Sequence, residues 1–271
     1  MKNREFDQKF DREGPQNFCS ERATIVDRQG ASENKNYEPN PTLSKTDSSS
    51  CSSIKTKISE GVLLVDKPRG KTSFSLVTAL RRLTRIEKIG HAGTLDPFAT
   101  GLMVMLIGKN FTRLSQDYLC QDKEYECKML LGISTDSYDC DGQTIATSPL
   151  IPTLADIEKA LLPFQGTILQ TPPMYSAKKV DGKKLYELAR KGIEIERKPV
   201  SVTIKTTLLD YTYPYLTLNV ACSKGTYVRS IAHDLGNLLG CGAHLSELRR
   251  IRSGNFHIKD SINGIHLYDH R

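Results

Sequence analysis

Asp96 is the one carboxylate in H-A-G-T-L-D-P-F-A-T-G-L-M, residues 91–103. Gly93, Pro97 and Gly101 surround it. Glycine permits tight turns at no steric cost, and proline fixes φ and removes a donor. Such a loop can aim a single carboxyl group. A carboxylate held in this way can act as a covalent nucleophile or as a general acid and base. Asp followed by Pro also fits a helix start, with Asp96 as N-cap and Pro97 at the first helical position. The two readings do not exclude each other. The second candidate is Arg229, in S-K-G-T-Y-V-R-S, residues 223–230. A guanidinium pairs with a carboxylate through a planar fork and stays charged when desolvated. Tyr227 lies two residues earlier, so on extended backbone the two side chains share a face. A plain surface charge is the alternative for Arg229.

These residues need elements to hold them. Residues 61–65, G-V-L-L-V, are a short apolar run ending at a D-K-P-R-G turn, which reads as a buried strand. Thr72 or Ser73 can cap a helix in which Phe74, Val77, Leu80 and Leu83 fall at helical spacing, with Arg81, Arg82 and Arg85 near its end. Residues 102–107 form a second buried strand closed by Gly108. Asn110 can cap a helix over 111–119. Residues 124–131 alternate as a half-buried strand carrying Tyr125, a position that usually means packing. The acidic loop 135–142, T-D-S-Y-D-C-D-G, lacks calcium-loop spacing and reads as a connector. Thr153 caps a helix over 154–162 with Ile157, Leu161 and Leu162 on one face, and a strand follows near 165–169. Residues 200–211 and 216–222 form strands joined at Tyr213-Pro214. Leu245, Leu248 and Ile251 stand at helical spacing, and a last strand and turn cover 255–262.

Between these elements lies T-P-P-M-Y-S-A-K-K-V-D-G-K-K-L-Y-E-L-A-R, residues 171–190. Lys178, Lys179, Lys183 and Lys184 cluster around Asp181-Gly182, with Tyr175 and Tyr186 nearby. That mixture suits phosphate contact plus base stacking, or else a solvated lysine loop. A helix over 184–191 stops at Gly192.

The chain has 271 residues, net charge +7 and 38% hydrophobic residues. Residues 1–60 hold ten basic and ten acidic groups, so the surplus falls on 61–271. A basic folded portion favours an anionic partner, nucleic acid being the commonest. Residues 1–60 are poor in aliphatics, with six serines between 44 and 53, and are expected to be a disordered extension. The seven cysteines show no C-x-x-C pair and no zinc spacing, which points to reduced thiols and no metal site. No apolar run approaches membrane-span length, and the N-terminus lacks a signal core. A cytoplasmic monomer without cofactor is the expectation.

Five segments together resemble the TruB family of pseudouridine synthases. They are D-K-P-R-G-K-T-S (66–73), H-A-G-T-L-D-P-F-A-T-G (91–101), D-K-E-Y-E (122–126), the 171–190 segment and G-T-Y-V-R-S (225–230). The resemblance spans roughly residues 61–262 and implies an α+β pseudouridine-synthase fold, with a mixed, mostly antiparallel central sheet flanked by helices. It also implies a catalytic domain over 61–271 without the further RNA-binding PUA domain that many relatives carry. By the same resemblance the activity is isomerisation of uridine 55 in the T loop of tRNA. Asp96 is the implied nucleophile, Arg229 its partner, and Tyr125 the stacking ring. Tyr227 lines the pocket, Leu248 packs on the base, and His91 fills the space the flipped base leaves. Lys178 and Lys179 belong to an insertion that closes on RNA, and Lys67 and Pro68 support the site wall. Two alternatives remain, a non-catalytic tRNA-folding factor and a guide-RNA-dependent enzyme. The guide-dependent family usually has Lys-Val where Phe98-Ala99 stand here.

Overall fold

The structure is a computed structural model that describes residues 60–180 and 182–268. The expected disorder of residues 1–60 falls outside this range, Glu60 apart, as do the side chains of Lys179 and Lys184. Along the chain run β1 (Gly61–Lys67), α1 (Ser73–Thr84), β2 (Ile89–His91), β3 (Thr100–Ile107), α2 (Lys109–Thr112), α3 (Ser115–Leu119) and β4 (Lys123–Leu131). Then come β5 (Ile133–Thr135), β6 (Thr144–Thr147), α4 (Leu154–Leu161), β7 (Gln165–Gln170), β8 (Lys179–Val180), β9 (Lys183–Lys184) and α5 (Leu185–Ala189). The rest is β10 (Val200–Thr212), β11 (Tyr215–Cys222), α6 (Val228–Leu238), β12 (Ala243–Ser253), β13 (Phe256–His257) and β14 (Ile262–Asn263).

Ten strands make one sheet, in the order β14-β1-β3-β12-β4-β11-β10-β7, with β2 paired to β3 and β13 to β12. The pairs β1–β14 and β3–β12 are parallel and the rest antiparallel. This is the mixed, mostly antiparallel α+β architecture expected. The apolar runs of β1 and β3 are buried on both faces. Leu63, Val65, Met103 and Met105 join the main core, while Val62, Leu64, Leu102 and Val104 join a smaller one.

Several local expectations change. In α1 the buried residues are Leu76, Val77, Ala79 and Leu80, whereas Phe74 is 63% and Leu83 37% exposed. A strict three-residue spacing drifts around a 3.6-residue helix, so its two ends face apart. Thr72 is the N-cap, accepting from the Ser75 amide at 3.0 Å. The helix expected over 111–119 is two short turns. Thr112 Oγ1 bonds back to the carbonyls of Gly108 and Lys109, at 3.0 and 3.2 Å, an alternative to continuing the helix. Asn110 caps nothing and donates to Glu60. Leu162, expected on the buried face of α4, is 70% exposed.

The largest correction is β12, expected as a helix. A bulge between Leu245 and Glu247 adds a residue to the strand. Leu245 opposes Met129 and Leu248 opposes Cys127, so two leucines three apart face one core.

Candidate active site

The turn expected to start a helix at Asp96 does not do so. Residues 92–99 form a loop between β2 and β3, closed by an Ala99 N–H to Asp96 carbonyl bond of 3.2 Å. Ser73 Oγ holds it from α1, accepting from the Leu95 amide at 2.9 Å and donating to the Leu95 carbonyl at 3.0 Å. Lys67 holds the other side. It is fully buried, and its Nζ donates to the carbonyls of Lys71 (2.6 Å), Pro68 (3.1 Å) and Pro97 (3.2 Å). Burial lowers the Lys67 pKa to about 8, with Asp96 opposing the shift.

Arg229 reaches Asp96 from the far end of the chain. Tyr227 is the N-cap of α6, so Arg229 lies in the first helical turn rather than on extended backbone. Arg229 Nε meets Asp96 Oδ2 at 3.0 Å, and Nη2 meets Oδ1 at 3.3 Å. Nη2 also donates to the Tyr175 carbonyl at 2.7 Å. Nη1 donates to Asp139 Oδ2 at 3.1 Å and to the Ser137 carbonyl at 3.2 Å. Every N–H of the guanidinium has an acceptor. Gln170 fixes the start of α6, accepting from the Tyr227 amide at 2.8 Å and donating to the Tyr227 carbonyl at 3.0 Å.

Asp96 keeps 34% of its side chain exposed and lines a cavity of about 1180 Å³. Burial raises its pKa, with Arg229 then opposing, Asp139 adding to the rise and Lys67 resisting it. The carboxyl is thus a partly buried acid whose ionised form is favoured by Arg229 and, after it, by Lys67.

Tyr125, Tyr227, Leu248 and Lys178 line the same cavity as Asp96 and Arg229. Tyr125 and Leu248 project from one face of neighbouring strands, since Tyr125 opposes Arg250 and Cys127 opposes Leu248. Burial raises the Tyr125 phenol pKa, so it stays neutral. His91 does not line the cavity. It ends β2 with Nδ1 buried and without a hydrogen-bond partner, and burial, then Arg250, lowers its pKa. The side chain of Lys179 lies outside the described residues. Among the described residues no group of three or more His, Cys, Asp or Glu side chains could hold a metal ion.

Two residues escaped the sequence reading. Asp139, in the loop read as a connector, is 4% exposed and bonded to Arg229. Its Oδ1 accepts from Ser137 Oγ at 2.6 Å and the Asp141 amide at 3.1 Å, turn chemistry that S-Y-D-C-D does advertise. Arg250 was hidden by reading β12 as a helix. On a strand it shares a face with Leu248 and points inward.

The model of the TruB family pseudouridylate synthase N-terminal domain matches residues 81–228. That of the tRNA pseudouridylate synthase B C-terminal domain matches 229–270. The tRNA pseudouridine synthase B of Protochlamydia amoebophila is 61% identical over 209 residues, 77% of this chain and 80% of that protein. That of Chlamydia felis is 59% identical over 211 residues, 78% and 90% of the two chains. A solved Cbf5-Nop10-Gar1 complex contains a chain 29% identical, with TM-score 0.58, over 74% of this chain and 51% of that one. This chain therefore spans about half the length of that protein. With adjoining family models matched over residues 81–228 and 229–270, and relatives about 60% identical over more than three quarters of its length, the chain belongs to the TruB family of pseudouridine synthases.

Proposed function

We propose that this chain isomerises uridine to pseudouridine at position 55 of the tRNA T loop, with Asp96 as nucleophile. The observation that carries the reading is the two-point Asp96–Arg229 pair in a cavity lined also by Tyr125, Tyr227 and Leu248. The chain is a tRNA pseudouridine synthase, an isomerase. Its identity to the two tRNA pseudouridine synthase B proteins, 61% and 59%, is about twice the 29% it shares with the Cbf5-complex chain.

In the reaction the C1′–N1 bond breaks, the uracil turns, a C1′–C5 bond forms, C5 loses its proton and N1 gains one. Atoms and charge balance without an oxidant or reductant. The protein must extrude the base, hold both fragments and keep a carboxylate ready. Extrusion costs a few kcal/mol of lost stacking. Stacking on Tyr125 returns about 1–3 kcal/mol. Arg229 keeps Asp96 ionised and aimed. Lys178, with Lys179 beside it in sequence, meets the backbone phosphates. Asp96, Arg229 and Tyr125 come from one copy of the chain, which suits a cytoplasmic enzyme working as a monomer on the T arm.

The test is position-resolved pseudouridine mapping after incubating the purified protein with a tRNA transcript and with an isolated T-arm stem-loop. Product at uridine 55 in both is expected. Product elsewhere, or none, contradicts the assignment.

A further inference from the structure

Arg250 is a buried cation for which the reaction above has no use. It is 1% exposed, on the core face of β12 directly opposite Tyr125. Its Nε donates to the Leu102 carbonyl at 2.7 Å, and Nη2 donates to the Gly93 carbonyl at 3.2 Å. Nη2 also touches Met103 Sδ at 3.2 Å. Gly93 lies in the loop that carries Asp96 and Leu102 in β3 just beyond it, so one guanidinium ties the start of that loop to the strand that follows it.

The glycines on either side of Asp96, Gly93 in the loop and Gly101 in β3, fit the same arrangement. Gly93 and Gly101 have φ of 104° and 105°, in the range where a side chain is strained. A Cβ on Gly101 would strike the backbone of Arg250, and one on Gly93 would come within 3.3 Å of Nη1. The loop can therefore close onto residue 250 only as it is built. The neighbours on β12 behave differently. Arg249 pairs with Asp66 and Arg252 with Glu124, both partly exposed, whereas no carboxylate among the described residues pairs with Arg250. A buried guanidinium without a carboxylate partner is costly, and here two of the groups it holds, the Gly93 and Leu102 carbonyls, flank Asp96.

We propose that Arg250 is a positioning residue for the isomerisation, whose guanidinium bridges the Gly93 and Leu102 carbonyls and so fixes the backbone that aims Asp96 into the cavity beside Tyr125. The inference rests on Asp96 being the nucleophile. Lysine cannot reproduce it, because a single ammonium lacks the planar fork that reaches two carbonyls at once.

The test compares Arg250→Met and Arg250→Lys with the full wild-type chain. It reads kcat and KM on a tRNA transcript, melting temperature, and amide hydrogen exchange. Displacing a reacting group by about 1 Å costs on the order of 100-fold, so kcat of Arg250→Met should fall about that far. Its KM should stay within about threefold, since the interaction lost acts only on the chemical step. Arg250→Lys should fall between the two while melting like the wild type. Exchange should quicken at Ala92 and Ala99, whose amides bond to the Val104 and Asp96 carbonyls, and stay unchanged in α6. Wild-type kcat together with wild-type loop exchange in Arg250→Met overturns the proposal, as does a loss confined to KM. If Arg250→Met does not fold, Arg250→Lys decides by the same two readouts. If the wild type itself makes no pseudouridine, the functional assignment fails while the exchange data still judge the clamp.

Discussion

Two forces compete at the Asp96 carboxyl, and they set how the enzyme should respond to pH. Burial pushes its pKa up and Arg229 pulls it down, with burial the larger. The acid limb of the activity profile should therefore lie above an ordinary aspartate's range. A limb at or below that range would contradict the assignment. The linked effect on stability has a definite sign. An acid whose folded pKa is raised binds its proton more tightly in the folded state. Its contribution to stability is therefore most favourable at low pH and is lost as pH rises through the window from the unfolded to the folded value. At neutral pH the ionised Asp96 is thus a burden. Asp96→Asn should lower turnover by on the order of 10⁴-fold or more. It should still melt no lower than the wild type at pH 7, and a clearly lower melting temperature would show that the ion pair outweighs desolvation. Arg229→Ala should behave in the opposite way. It leaves Asp96 and Asp139 without their shared cation, and removing one partner of a buried pair costs about 3–5 kcal/mol. A melting temperature unchanged by Arg229→Ala would refute this. The pairing of residues 96 and 229 could be anticipated from the sequence because both sit in distinctive motifs. Asp139 could not, because its loop reads as turn chemistry and only the fold brings it onto Arg229.

The elements that position the site were legible where periodicity was unambiguous. The continuous apolar runs of β1 and β3 and the alternation of β4 came out as strands, and Thr153 caps α4 through a capping box with Asp156. Reading failed at β12, where bulges put Leu245 and Leu248 three apart on one face and mimicked a helix. It also failed at the start of α6, where Gln170 rather than a side chain of the cap residue takes the Tyr227 amide. Helix α6 carries Arg229 and lies against β12 so closely that a Cβ on Gly236 would clash with the Ala243 amide. Gly236→Ala should gain about 1 kcal/mol in helix propensity, yet the clash should outweigh it. A fall in melting temperature is expected, accompanied by lower activity because Arg229 would shift with its helix. A rise in melting temperature would show that the contact yields easily.

On the scale of the molecule, the boundary between the two matched family models falls between Val228 and Arg229. The structure does not respect it as a boundary. Strand β12 lies between β3 and β4 in the middle of the sheet, and Arg229 reaches back to Asp96. A chain ending at residue 228 would lack a central strand and leave the flanks of β3 and β4 unpaired. Such a chain should be unfolded by circular dichroism and calorimetry, and a cooperative melt would contradict the interleaved architecture. No helix among the described residues is long and apolar enough to cross a membrane. The net charge of +7 lies wholly in residues 61–271, so tRNA affinity should fall steeply with added salt. The most direct measurement of the central claim is single-turnover pseudouridine formation at uridine 55 by wild-type protein and by Asp96→Asn, on the same tRNA and with binding measured alongside. Complete conversion by the wild type and none by the variant, at comparable tRNA affinity, is the predicted result. Turnover by a variant that has lost the residue-96 carboxylate would contradict the account.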